Sequence, residues 1–180
     1  MRFFLLLLSS VGLLSVSCTK LPKGAVTFHN QSASGESKNM LFSYNKKTKQ
    51  ELTFRKNPDF YTSNFESFRP FPAKGGSYGA IFMLDRVSKK RLSYFTTQNQ
   101  GSYLLSLVNG KPSEPVLIDR TVNDGVLVVW SGMTVRDIRS LEIEMPRTGQ
   151  DLDEWKKQAK ESKKALRNII VAEKQKKKGN

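Results

Sequence analysis

Few side chains in this sequence can carry covalent or proton-transfer chemistry. His29 is the only imidazole and Cys18 the only thiol in 180 residues. Nucleophilic catalysis by Ser or Cys needs a base within hydrogen-bond reach, and His29 sits in the short apolar stretch Ala25–Asn30. No phosphate-cradling glycine loop or His-Glu-x-x-His motif occurs. One Cys excludes an internal disulfide and every Cys-rich zinc or iron–sulfur site, and one His excludes a His-rich metal site. The nearest approach to an acidic site, Asp119 with Asp124, flanks a turn and reads as its cap. The sequence therefore points to a protein that is not an enzyme, with no catalytic residue, metal site, cofactor or small-molecule substrate.

The chemistry at Cys18 is of another kind. Met1-Arg2 gives a short positive start, followed by an apolar run from Phe3 to Ser17. A charged start, about 7–15 apolar residues and small residues before a cut define a secretory signal, and the run is shorter than the roughly 20 residues that span a membrane. Ser15-Val16-Ser17-Cys18 resembles the bacterial lipobox, in which the Cys is acylated and becomes the new N-terminus. The competing reading is ordinary cleavage after Ser17, which leaves a lone thiol on an exported chain. Acylation explains both the position and the solitude of Cys18. The expected address is the cell envelope, lipid-anchored and facing the periplasm. Thr19 stands where an Asp marks inner-membrane retention, which leans towards the outer membrane.

The elements that follow are read from periodicity and turn chemistry. After a tether at 19–24, strands are expected at 25–30, 40–44 and 51–55, the last two joined by Asn45-Lys46-Lys47-Thr48. Residues 56–77 carry Phe60, Tyr61, Phe65, Phe68 and Phe71 among Pro58, Pro70 and Pro72, and read as irregular chain covering a core. From Tyr78 the pattern is regular. A strand at 79–84 precedes a helix at 87–98 with Val87/Tyr94 and Leu92/Phe95 at helical spacing. Strands follow at 103–108, 115–118 and 126–130. Thr134-Val135-Arg136-Asp137 forms a capping box for a helix whose stripe is Ile138, Leu141 and Met145. This order argues an α+β sandwich with helices on one sheet face. The expected organisation is signal peptide 1–17, acylated Cys and tether 18–24, N-terminal strands and aromatic loop 25–77, α+β domain 78–146 and basic amphipathic helix 150–180.

The stretch 79–141 resembles the head of the first periplasmic domain of SecD, a subunit of the bacterial protein-export machinery. The resemblance rests on an ordered set: Leu84-Asp85, then Thr96-Thr97-Gln98-Asn99-Gln100-Gly101, then Asn109-Gly110-Lys111 and Ser113-Glu114-Pro115-Val116-Leu117-Ile118, then Asp124-Gly125 and Ser131-Gly132-Met133-Thr134. It covers about a third of the chain and implies a ferredoxin-like antiparallel sheet. It transfers no catalytic residue, because the SecD head is a binding and moving part.

Residues 151–175 lack Gly and Pro and read as one long helix with a stripe of Leu152, Trp155, Ala159, Ser162, Leu166 and Ile170. Asp151, Asp153 and Glu154 open it and Lys174, Lys176, Lys177 and Lys178 close it, in accord with the helix dipole. The stripe docks on the domain, binds a partner or lies on an anionic membrane; Trp155, Leu166, Ile170, Lys176, Lys177 and Lys178 are the candidate partner-binding residues. With 30 basic against 16 acidic side chains the net charge is +14, which suits lipid headgroups, an anionic envelope component or an acidic envelope protein. Exported polypeptide is the sharper option that the SecD resemblance adds. The alternative is a basic nucleic-acid-binding protein, against which stands the export signal.

Overall fold

The computed structural model of this chain describes residues 25–32, 41–44 and 52–176. The expected signal peptide, Cys18 and the tether to 24 lie outside the described residues, as do the turn at 45–48, Lys177 and Lys178.

The order is β1 (Val26–Asn30), β2 (Leu41–Tyr44), β3 (Leu52–Arg55), β4 (Phe60–Tyr61), β5 (Phe65–Pro72), β6 (Tyr78–Leu84), α1 (Arg86–Gln98), β7 (Tyr103–Val108), β8 (Lys111–Pro112), β9 (Val116–Leu117), β10 (Val126–Met133), α2 (Val135–Glu144) and α3 (Leu152–Lys176). The fold is α+β with antiparallel strands. Those strands divide between sheets: β4-β1-β7-β8 with β9 also on β7, then β10-β6-β5, and the hairpin β2-β3. So β6 and β7, the strands flanking α1, belong to different sheets. The N-terminal β1 takes the place beside β7 that one continuous sheet would give to its neighbour.

Local chemistry fixes the helix starts. The Asp85 carboxylate accepts from Ser88 N–H at 2.7 Å, which satisfies one orphan donor of α1 and lowers the Asp85 pKa. The capping box at α2 is formed: Thr134 Oγ1 accepts from Asp137 N–H at 3.2 Å while Asp137 Oδ2 accepts from Thr134 N–H at 2.9 Å.

Two expectations need correction. Residues 65–72 form a strand rather than irregular chain, because Pro70 and Pro72 stand on a sheet edge where their missing N–H groups break no ladder. In α1, Val87 and Tyr94 face solvent, 73% and 70% exposed, while Leu92 is fully buried with Ser88 and Thr96 beside it. The inward stripe is therefore 88/92/96, narrow and mostly polar.

One core joins the two larger sheets. Phe28 of β1 meets Phe65 and Phe82 of the three-stranded sheet at ring-centroid distances of 5.8 and 6.2 Å, and Phe68 stacks on Phe82 at 6.0 Å. Leu92, Ile138 and Leu141 close the core from the helices, joined by Met145 just after α2. Burying each such side chain contributes roughly 1.5–3 kcal/mol.

Candidate binding groove

The groove of interest begins at the end of β5. Phe68 N–H donates to Pro146 O and Phe68 O accepts from Thr148 N–H, so the main chain of residue 68 points away from β6. Alternation puts Pro70 and Pro72 in the same orientation. The outer edge of β5 thus presents no N–H at either position, and no further strand can add there. What the edge does present is a proline–aromatic surface. Across from it stands α2, held in place by its cap and by Ile138 and Leu141 in the core.

Between them lies an open groove of about 360 Å³, lined by Pro70, Phe71, Pro72, Tyr78, Val135, Ile138, Arg139, Glu142 and Arg147. Arg147 donates from Nε to Glu142 Oε1 at 2.7 Å and pairs with the same oxygen through Nη2, so the one carboxylate of the lining is committed. Arg139 is exposed at the rim, with no hydrogen bond or ion pair among the described residues. The lining contains no nucleophile aligned with a base; it is an apolar, aromatic surface with a cationic rim.

Phe71 reaches beyond the groove. Its ring crosses Gly79, where a Cβ would lie 2.3 Å from the ring and 2.6 Å from Trp130 O. There it meets the Trp130 ring edge-on at 6.5 Å. Trp130 itself is 59% exposed, displayed where β10 shifts register before Gly132 (φ 93°).

A second polar cluster is internal. His29 Nδ1 lies 2.8 Å from Arg55 O, an acceptor, so Nδ1 carries the proton and Nε2 accepts from Thr27 Oγ1 at 2.8 Å. Burial lowers the His29 pKa. Asp59 Oδ2 accepts from Asn30 N–H at 2.8 Å, and burial raises its pKa. Arg91 donates to Asp59 O and Asn64 Oδ1 and covers the Phe60 ring at 4.7 Å. Asn30, 2% exposed, donates to Asn99 Oδ1 at 2.6 Å, and its own Oδ1 has no hydrogen-bond partner among the described residues. These contacts fasten β1 to the segment 55–64 and to the end of α1. Asp137 does comparable work at the other end of β1: burial opposes its charge, yet bonds from Asn109 and Thr134 hold its pKa down, while Asn109 Oδ1 accepts from Ala25 N–H.

Of the candidate partner-binding residues, Trp155 is half-buried and its indole N–H donates to Glu142 O at 2.7 Å. Ala159 is buried and Lys163 pairs with Glu144 at 3.3 Å, so the first three turns of α3 pack on α2. Leu166 is half-buried further along; Ile170 and Lys176 lie on the last turns of the helix. Trp155 thus meets the groove only through the main chain of Glu142, and none of these candidates is in its lining. Arg139, Phe71 and Tyr78 escaped the sequence reading. Their signal was available in the second face of α2 (Val135, Arg139 and Glu142 at i, i+4, i+7) and in a Pro-x-Pro spacing that leaves alternate edge positions without donors.

Among the described residues no helix is long and apolar enough to cross a membrane, and no cluster of three His, Cys, Asp or Glu could hold a metal. No family model matches the chain, and no curated protein does. Two solved structures of SecDF, a membrane component that enhances protein export, resemble it. The first is 13% identical, with a TM-score of 0.48 over 68% of this chain and 62% of its own. The other, in the super-membrane-facing form, is 14% identical, with a TM-score of 0.48 over 68% of this chain and 19% of its own. The chain thus spans less than two thirds of either structure.

Proposed function

We propose that this chain is a non-catalytic binding and scaffold module of the cell envelope, anchored through acylated Cys18 and facing the periplasm at the outer membrane. The groove at β5 and α2 holds a stretch of exported polypeptide or another anionic envelope component. The observation that supports this reading is the composition of the groove. Prolines and aromatic rings form its floor, its one carboxylate is neutralised by Arg147, and the exposed Arg139 guanidinium waits at the rim. Such a surface binds apolar side chains and a carboxylate without positioning a group to react with them.

The test is photo-cross-linking in intact cells from a reactive residue at Tyr78 or Val135, with mass spectrometry of the mature N-terminal peptide from the membrane fraction. The expected result is an acylated Cys18 and adducts to envelope proteins or exported chains, reduced by Arg139→Glu. Adducts confined to ribosomal or nucleoid components would sink the reading and favour nucleic-acid binding.

A further inference from the structure

We propose that the outer face of the three-stranded sheet β10-β6-β5 is a membrane-docking surface that lies on the interfacial layer of an anionic bilayer; the inference rests on the acylation of Cys18.

The register defines that face. Phe82, Ala80, Leu127 and Val129 point into the core, so their neighbours point the other way. The outward rows are Phe71 and Trp130 flanking Gly79, then Arg69-Ile81-Val128, then Ser67-Met83-Val126. An antiparallel sheet with one solvated face normally alternates apolar with polar. Here β6 and β10 contain no charged residue at all. Six apolar side chains occupy the outward rows, none of them fully buried. The helices pack elsewhere: α1 and α2 bury Leu92, Ile138 and Leu141 in the core on the opposite face, and α3 packs on α2. A continuous apolar patch of this kind marks a contact surface.

Two observations select the bilayer as the occupant. The first is distance. Between Cys18 and Ala25 the chain has seven residue steps, at most about 25 Å when fully extended. Ala25 is fixed to Asn109, which bonds Asp137 and Ser140 of α2, the helix that directly follows β10. An acylated Cys18 therefore holds this sheet within a domain's breadth of the membrane. The second is charge. Arg69 lies within the apolar rows, on a chain of net charge +14. Two like-charged copies meeting through this face would repel, whereas anionic headgroups are attracted. Trp130 and Phe71 supply the aromatic pair that favours the boundary between headgroup and hydrocarbon.

The test uses the mature acylated protein carrying Trp155→Phe, which leaves Trp130 as its only tryptophan. It is reconstituted in vesicles of phosphatidylethanolamine and phosphatidylglycerol, with and without lipid brominated near the headgroup end of its chains. Docking at the interfacial depth of about 5–10 Å predicts a roughly twofold loss of Trp130 emission on bromination. Val128→Lys and the milder Arg69→Glu should reduce that loss, with unchanged circular dichroism and undiminished flotation. Flotation of an acylated protein whose Trp130 is unquenched would overturn docking and leave the lipoprotein reading intact. Trp130 shielded from aqueous iodide but untouched by bromine would place a second copy or a polypeptide on the face, and overturn it too. An unmodified Cys18 in protein from native membranes would remove both the anchor and the docking built on it.

Discussion

The two larger sheets meet in one core but treat their other faces differently. On β1 and β7 the outward residues include His29 and Leu105, which stand opposite each other in the ladder. Leu105 has no exposure although it points away from the core, Phe54 of β3 has none either, and the His29 ring is tied to Arg55 O. The hairpin β2-β3 is fastened to this side by that bond and by Ser32 N–H to Thr53 O. The three-stranded sheet has outward residues at least as apolar, yet its helices are spent on the core and on one another. Among the described residues the hairpin covers one apolar face and no element lies over the other. Composition alone does not decide whether a face is closed; what matters is whether an element remains to lie over it.

The contrast is broken most severely by placing the same charge on each face. Leu105→Lys buries an ammonium with no provided partner and should cost more than about 4 kcal/mol, enough to unfold a domain of ordinary stability. Val128→Lys on the open face should stay within about 1 kcal/mol of the parent, since its ammonium reaches water. Urea unfolding of the two variants checks this, and equal losses would mean that both faces are closed. Next in size is a comparison within one strand. Phe82→Ala removes a fully buried ring that touches Phe28, Phe65 and Phe68 and should cost about 3–5 kcal/mol. Ile81→Ala, one residue away on the outward side, should cost well under half of that.

Much of this architecture is written locally. The capping box at Thr134 and Asp137 and the buried pair Ile138 and Leu141 form as their spacing dictates, because i, i+3 contacts depend on one helix alone, while Met145 is buried from the extended residue that ends α2. The long helix over 152–176 likewise follows from its lack of Gly and Pro. β5 was illegible for a tertiary reason: two prolines argue against a strand until one knows that the strand is an edge whose donors would point outward. The runs Gly79–Leu84 and Val126–Trp130 do not alternate in polarity, yet only about half of their residues are buried. Which half lacks a cover depends on where α1, α2 and the hairpin go. The groove was missed on the same ground, since Phe71 and Arg139 are 68 positions apart and meet only when β5 and α2 are placed.

A third prediction concerns the row that joins groove and open face. Gly79 is buried with ordinary negative φ, so its role is space and not backbone freedom. Gly79→Ala sets a methyl 2.3 Å from the Phe71 ring and 2.6 Å from Trp130 O. The ring can swing aside but the carbonyl cannot. The expected cost is about 1–3 kcal/mol, with a red shift of Trp130 emission as Phe71 leaves it. A variant as stable as the parent with unchanged emission would show that the strand yields and that the Phe71–Trp130 contact is incidental.

The smallest expected effect lies on the covered face and is set by pH. Burial holds the His29 pKa below 6.5, its value in the unfolded chain. Between the folded value and 6.5 the unfolded state binds more protons, so stability is full above pH 6.5 and falls as the solution is acidified through that window. Asp59 acts in the opposite sense. Its folded pKa is raised above 3.8 by burial, so the folded state takes up a proton first and gains stability as pH falls through that folded value towards 3.8. Around both stand Arg55 and Arg91, whose charges favour the Asp59 carboxylate and reduce its gain. His29→Asn keeps a donor near Arg55 O but cannot be protonated. Its stability should change less between pH 7.5 and 5.5 than the parent's, whereas Asp59→Asn removes the carboxylate whose charge favours a protonated His29, so it should extend the loss to lower pH and remove the compensation there. Urea midpoints across the range measure this. Parallel curves for the parent and His29→Asn would mean that the imidazole reaches water, and that the hairpin does not close its sheet as tightly as the buried Leu105 requires.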